Sequence, residues 1–91
     1  MSAANSLRIS IPVIFWDQHV ERTGEEDEKN LCRVFMRGDH SIQVQGTLRQ
    51  IDYLLADAEF FARGNKYHTQ EIIFAARLTV AAINKAREVI A

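Results

Sequence analysis

Apolar residues recur at intervals of three and four positions in two long stretches of the second half of the chain, and this spacing constrains the fold more than any other feature. Residues with this spacing lie on one side of an α-helix, and that side needs another element to cover it. The first predicted helix begins after Thr47, which forms a capping box with Gln50, and ends near Gly64. Its apolar stripe comprises Leu48, Ile51, Leu54, Leu55, Ala58, Phe61 and Ala62.

A second predicted helix begins after Thr69, an N-cap residue with Glu71 in the first turn behind it, and continues nearly to Ala91. Its apolar arc comprises Ile72, Ile73, Ala76, Leu78, Val80, Ala82, Ile83, Ala86, Val89 and Ile90. This arc is wider than one small sheet and one neighbouring helix can cover. We therefore expect a homodimer, because two-fold pairing is the commonest way to supply another neighbour.

The first half of the chain predicts strands. The segment 8–15 alternates apolar and other residues, which is the period of a half-buried strand. Pro12 confines this strand to a sheet edge, because proline cannot donate a hydrogen bond to a neighbouring strand. The segments 31–37 and 41–45 flank a turn and predict an antiparallel hairpin.

The register of this hairpin follows from pairing like residues across its two strands. A three-residue loop beginning at Gly38 sets Val34 opposite Val44 and Met36 opposite Ile42, on the face toward the core. Such a loop requires a left-handed backbone conformation at one of its residues.

These elements predict a small α+β fold in the order β-β-β-α-α. A three-stranded antiparallel sheet is covered on one face by a C-terminal α-helical hairpin. The 91 residues leave room for one core. We expect a disordered N-terminus at 1–6 and a single domain over 7–91.

Composition indicates the compartment. Cys32 is the only cysteine, which excludes an intramolecular disulfide and favours a reducing cytosol. The first residues lack the pattern of a signal peptide, and no apolar run approaches the roughly 20 residues that cross a bilayer. We therefore expect a cytoplasmic protein that does not enter a membrane.

Asp17, His19 and Glu21 alternate within the segment 16–30, which we predict to be a loop. An extended backbone directs all three side chains to one side, as a metal-dependent enzyme requires. One helical turn fits the same pattern and separates His19 from the acids. A metal-dependent enzyme is therefore the third functional hypothesis.

The remaining residues of this region have structural interpretations. Trp16 is expected to fold back onto the core. The four consecutive acids at 25–28 are typical of a solvated connector. Cys32 falls on the predicted core face, where a thiol is inert.

Two groups of side chains are predicted to contact a partner. Arg33, Phe35 and Arg37 project together from the sheet face away from the helices. Tyr53 and Phe60 are seven residues apart on the first helix, opposite its core stripe, unless the N-terminal segment or the long loop covers them.

These surfaces favour a non-enzymatic protein-binding module, of the adaptor or regulatory kind, that forms a homodimer and needs no cofactor. The alternative is a nucleic-acid-binding regulator that uses the Arg-Phe-Arg sheet face. The net charge of −1 favours a protein partner, because phosphate contacts need a concentrated basic surface.

Overall fold

The computed structural model describes residues 6–24 and 29–90 and confirms the α+β fold. Its elements are β1 (Ser6–Pro12), α1 (Val13–Thr23), β2 (Arg33–Arg37), β3 (Ser41–Thr47), α2 (Leu48–Ala62) and α3 (Gln70–Ile90). The predicted C-terminal helical hairpin is present, and α1 is an additional helix between the first two strands. The disorder predicted for 1–6 falls outside the described residues except at Ser6, which belongs to β1.

The three strands form one antiparallel sheet in the order β1-β3-β2. The strand that contains Pro12 therefore lies at an edge, as predicted. Ile9 opposes Val44 and Ile11 opposes Ile42, and all four side chains are buried. The alternation in these two strands thus directs one face of the sheet toward the helices.

Helix α1 corrects the prediction that 8–15 is a strand and 16–30 a loop. The strand ends at Pro12, whose extended backbone (φ −63°, ψ 135°) immediately precedes the helix. Phe15, Trp16 and His19 are buried, at the spacing of a helix face. A short stretch of sequence can fit both the two-residue repeat of a strand and the 3.6-residue repeat of a helix. Here the packing of these aromatic side chains on the core favours the helix. Trp16 does cover the core, as expected.

The register of the β2–β3 hairpin matches the prediction before a bulge in β2 and differs from it after the bulge. Val34 opposes Val44 as predicted, but Met36 opposes Gln43 and Arg37 opposes Ile42. The connection between paired residues of these strands is therefore four residues long, 38–41, rather than three. None of the described residues other than glycine has a positive φ, so the expected left-handed loop residue is absent from them. A four-residue connection explains this, because such loops are usually built on type I turns.

Helices α2 and α3 begin at the predicted caps. The Thr47 hydroxyl accepts from the Gln50 backbone N–H, and the Gln50 side chain accepts from the Thr47 backbone N–H. The Thr69 hydroxyl accepts from the Ile72 backbone N–H at 3.2 Å. Gly64, with φ 76°, follows the end of α2 in the left-handed conformation that favours glycine.

The core lies between the sheet and the helices. α3 packs on β1 and α2, whereas β2 packs extensively only against β3 within the described part of the chain. The buried apolar side chains are Leu7, Ile9, Ile11, Phe15, Trp16, Cys32, Ile42, Val44, Ile51, Leu54, Ala58, Phe61, Ile72, Ile73, Ala75, Ala76 and Ile83. The helical layer therefore leaves the β2 side of the sheet uncovered.

The wide apolar arc of α3 is only partly buried. Val80, Ala82 and Ala86 are half-buried against the core, whereas Leu78 is exposed. The side chains of residues 89 and 90 lie outside the description. Phe74, which does not belong to the predicted arc, is also exposed.

Candidate protein-binding surface

The free edge of β2 is the most exposed apolar part of the sheet. All five residues of this strand are exposed. The exposed fractions are 46% for Val34, 53% for Phe35 and 58% for Met36. Val34 faces the same side as the buried Val44, yet no helix covers it, because the helical layer stops before β2. Val34 on the helical side of the sheet and Phe35 on the outer side, together with Met36, flank an unpaired edge that a partner strand could cover.

The bulge in β2 separates the three side chains that were predicted to share a face. Arg37 opposes Ile42, whose side chain is buried toward the helices, so Arg37 lies on the helical side of the sheet. There its guanidinium donates two hydrogen bonds to Asp17 of α1, at 3.0 and 2.9 Å. The prediction of one Arg33-Phe35-Arg37 face is therefore wrong, because the extra residue of the bulge reverses the direction of every later side chain.

The ion pair between α1 and β2 changes the titration of both partners. Hydrogen bonds from Arg37 hold the pKa of Asp17 below its ordinary value of 3.8. The Asp17 carboxylate in turn raises the pKa of Arg37. Arg37 is thus already neutralised by its own chain.

Arg8 takes the place that sequence analysis assigned to Arg37. Its guanidinium carbon lies 3.7 Å from the centre of the Phe35 ring. The same guanidinium donates to Gln45 Oε1 at 3.2 and 3.3 Å from its two donor atoms, and Gln45 pairs with both Arg8 and Arg33 across the sheet. The outer face therefore carries Arg8, Phe35 and Arg33 side by side. Identifying Arg8 from the sequence required the pairing of β1 with β3, which local pattern does not give.

The outer side of the sheet is cationic. None of the three strands contains an aspartate or a glutamate. Arg33 makes no ion pair with any residue that the structure describes. A groove of about 630 Å³ is lined by Arg33, Phe35 and Gln45 of the sheet and by Thr47 and Gln50 at the start of α2.

Tyr53 and Phe60 belong to a different surface, the groove between α1 and α2. Together with Arg22, they line a cavity of about 230 Å³. The Arg22 guanidinium lies 5.0 Å from the centre of the Phe60 ring. Helix α1, which replaces half of the predicted loop, thus approaches both aromatic rings. The five predicted contact residues do not form one patch.

The alternating residues of the metal hypothesis lie on helix α1, which directs His19 into the core and Asp17 and Glu21 toward its exposed side. His19 is fully buried, and its Nδ1 lies 2.8 Å from Asp57 Oδ2 on α2. An ionised carboxylate only accepts, so Nδ1 is the donor. Asp17 binds Arg37 instead, and Glu21 is exposed. Within residues 6–24 and 29–90, no group of three candidate ligands surrounds a common point, so these residues lack the geometry that the third hypothesis, a metal site at Asp17, His19 and Glu21, requires.

Asp57 joins α1 to α2 through two side chains. Its second oxygen, Oδ1, lies 2.9 Å from Arg22 Nε in an ion pair that lacks hydrogen-bond geometry, while His19 binds Oδ2. The other ring nitrogen of His19, Nε2, is buried without a hydrogen-bond partner among the described groups. This cluster fixes how α1 packs on α2.

Cys32 lies against the core, as predicted. Burial raises the pKa of its thiol to about 12. The thiolate is the nucleophilic form, so this cysteine has no reactive character at neutral pH. The acids predicted as a solvated connector, 25–28, lie outside the described residues.

No protein-family model, curated protein or solved structure matches the chain. Among the described residues, no helix has the length and apolar character that spanning a membrane requires.

Proposed function

We propose that this chain is a non-enzymatic protein-binding module, adaptor or regulatory in kind, that is cytoplasmic and acts as a homodimer. In this proposal, an extended segment of a partner protein pairs with the free edge of β2. The observation that carries it is the run of three exposed apolar side chains, Val34, Phe35 and Met36, on that edge.

An edge strand offers a partner both backbone and side-chain contacts. Its outward N–H and C=O groups accept another strand, and alternate side chains select the sequence of that strand. Each backbone hydrogen bond contributes about 0.5–1.5 kcal/mol net. The apolar side chains add the burial of exposed surface, worth about 25 cal/mol per Å².

A bulge and flanking arginines also protect a sheet edge from pairing. Protected edges, however, carry charged side chains that face the incoming strand. The centre of β2 is apolar instead: Met36 opposes Gln43, Phe35 lies in the bulge, and both side chains are exposed. These features favour a partner that supplies its own apolar side chains.

The charges around β2 select the chemistry of the partner. Arg37 is paired with Asp17, whereas Arg33 lacks a carboxylate partner among the described residues. We therefore propose that the partner segment places an aspartate or glutamate opposite Arg33 and apolar residues opposite Val34 and Met36. Complementary charge at this position fixes the register of the added strand.

The binding proposal is tested with peptides selected from a displayed library of random sequences, and their affinity is measured by fluorescence anisotropy. We expect Met36→Lys to weaken binding at least about tenfold, because it removes apolar contact and introduces charge at the edge. Leu48→Lys is the matched control, since Leu48 is a comparably exposed apolar residue on α2. Equal affinity of both variants, or selection of no peptide, would overturn the proposal.

The selected peptides also test the acidic position. We expect the selected peptides to share an acidic residue, and the exchange of this residue for lysine to weaken binding to the natural chain. The Arg33→Glu variant is expected to bind the lysine-containing peptide more tightly than the acidic one. If Met36→Lys abolishes binding while the charge exchange has no effect, strand pairing stands and the acidic position is rejected.

The second candidate function is single-stranded nucleic-acid binding by Arg8, Phe35 and Arg33. Two arginines beside an aromatic ring on an acid-free sheet favour it. Against it, the Arg8 guanidinium already occupies one face of the Phe35 ring, where a base would stack. Titration of an oligonucleotide tests it: steep loss of affinity with added salt supports this function, and no binding at low salt rejects it.

A further inference from the structure

The exposed side of α3 carries apolar residues flanked by opposite charges. Phe74 is 63% exposed and Leu78, one turn later, is 46% exposed. Ala81 follows on the same side and is also exposed. Glu71 and Lys85 lie seven residues before and seven residues after Leu78. Residues seven apart lie on nearly the same line along a helix, offset by about 20° per heptad.

Both charged residues are free to meet a partner. Glu71 and Lys85 are exposed, and neither forms an ion pair with any residue in the described ranges. The helix therefore presents an acid at one end, a base at the other, and an apolar centre. We call residues 71, 74, 78, 81 and 85 the α3 seam.

We propose that the α3 seam is the homodimer interface, with α3 of one copy antiparallel to α3 of a second copy. This inference specifies the homodimer of the proposed function and does not depend on peptide binding at β2. A two-fold axis near Leu78 places Glu71 of each copy against Lys85 of the other and brings the two Leu78 side chains together. Phe74 then lies over the small side chains of Ala81 and Ala82 in the second copy.

Charge decides between this interface and a dimer through β2. The strand contains no acid, and the nearby Asp17 is already bound to Arg37, so β2 of a second copy offers no free carboxylate to Arg33. The α3 seam is self-complementary only in the antiparallel arrangement, because a parallel one opposes like charges. A second copy therefore fits α3, whereas β2 fits a different, acidic partner.

The dimer rests on few apolar side chains, so we expect a concentration-dependent equilibrium with a dissociation constant of about 10–100 µM. Sedimentation equilibrium or light scattering measures it on the full chain. Leu78→Glu is expected to yield a monomer at all concentrations, while its circular dichroism remains unchanged, because the side chain is exposed. Leu48→Glu, a change of the same kind outside the seam, is expected to leave the equilibrium unchanged.

Charge exchange tests the antiparallel arrangement separately. Glu71→Lys and Lys85→Glu are each expected to weaken the dimer about threefold to tenfold, and the double variant is expected to recover the natural affinity. Glu59→Lys on α2 provides a control for the change in net charge. The inference would be overturned if the natural chain were monomeric or if Leu78→Glu still dimerised. It would also be overturned if the double variant dimerised no more tightly than the single variants. Dissociation by Met36→Lys instead would assign the dimer to β2.

Discussion

Asp57 on α2 contacts two side chains of α1, His19 and Arg22, and so holds the two helices together. Its carboxylate receives the His19 Nδ1–H at 2.8 Å and lies 2.9 Å from Arg22 Nε. Removing it leaves a buried imidazole without its acceptor, and a buried polar group that loses its partner costs about 1–3 kcal/mol.

We therefore expect Asp57→Ala to lower the free energy of unfolding by about 1–3 kcal/mol, measured by urea denaturation. Asp52→Ala is the matched control on the same helix. Asp52 pairs with Arg87, but it is exposed, and exposed ion pairs contribute about 0–1 kcal/mol. Equal losses for the two variants would show that the His19 contact does not stabilise the fold.

The ion pair of Asp17 and Arg37 makes the stability of the folded chain depend on pH. The pKa of Asp17 is lower in the folded chain than its ordinary value of 3.8, because Arg37 donates to the ionised form. Its contribution is therefore fully present at neutral pH and is lost as the pH falls below 3.8 through the lowered pKa.

Asp17→Asn removes this titration. The urea midpoint of the variant is expected to lie below that of the natural chain at neutral pH, and the two are expected to converge as the pH falls below 3.8. Arg37→Gln serves as a second variant that breaks the same pair and should show the same convergence. A difference that persists unchanged in acid would contradict the assignment.

At the scale of elements, α2 and α3 could be predicted because their signals are local. The capping box at Thr47, the glycine at position 64 and the spacing of Ile51, Leu54 and Ala58 all agree on one helix. No comparable set of local sequence signals agrees on a helix at α1. Pro12 interrupts an alternating stretch, and only burial of Phe15 and Trp16 against distant residues makes the following segment helical.

The bulge in β2 was beyond prediction for a related reason. Like-with-like pairing gave the correct contact between Val34 and Val44, but it could not detect that Ser41 pairs with Pro12 of β1. The connection is one residue longer than predicted, and the bulge between Val34 and Met36 accommodates the change in register. The side of the sheet on which Arg37 lies, and with it one of the three residues of the predicted Arg33-Phe35-Arg37 face, depends on this one extra residue.

Strand β3 passes close to the start of β2, which gives a prediction for Gly46. A Cβ placed there would lie 2.7 Å from Cys32 Sγ and 3.1 Å from Gln50 Cβ. Gly46→Ala is expected to lower the free energy of unfolding by about 1–3 kcal/mol, through overpacking.

Combining Gly46→Ala with Cys32→Ala removes the closest of these contacts. We expect the double variant to be more stable than the sum of the single effects predicts, as measured by chemical denaturation in a double-mutant cycle. Strict additivity would mean that the sulfur does not limit the space beside Gly46.

Across the whole molecule, exposed apolar side chains occur on two surfaces that differ in charge. One face of the sheet is covered by helices only as far as β3, and the uncovered edge combines apolar side chains with arginines. The exposed side of α3 combines apolar side chains with both signs of charge. Apolar groups are expected from the sequence to exceed what one copy covers. Phe35, Phe60 and Leu78 are exposed, whereas Tyr53 is half-buried and the other described residues of the α3 arc are buried or half-buried. The division of the exposed residues between surfaces depends on the position of α1 and the order of the strands, which local pattern does not give.

Strand pairing at β2 is tested by mapping the backbone amide shifts when a library-selected peptide is added to the ¹⁵N-labelled chain. If a peptide strand adds to β2, the largest shifts are expected at Arg33–Arg37, with smaller ones at Arg8 and Gln45. Largest shifts in the groove of Tyr53 and Phe60, or along the α3 seam, would contradict it.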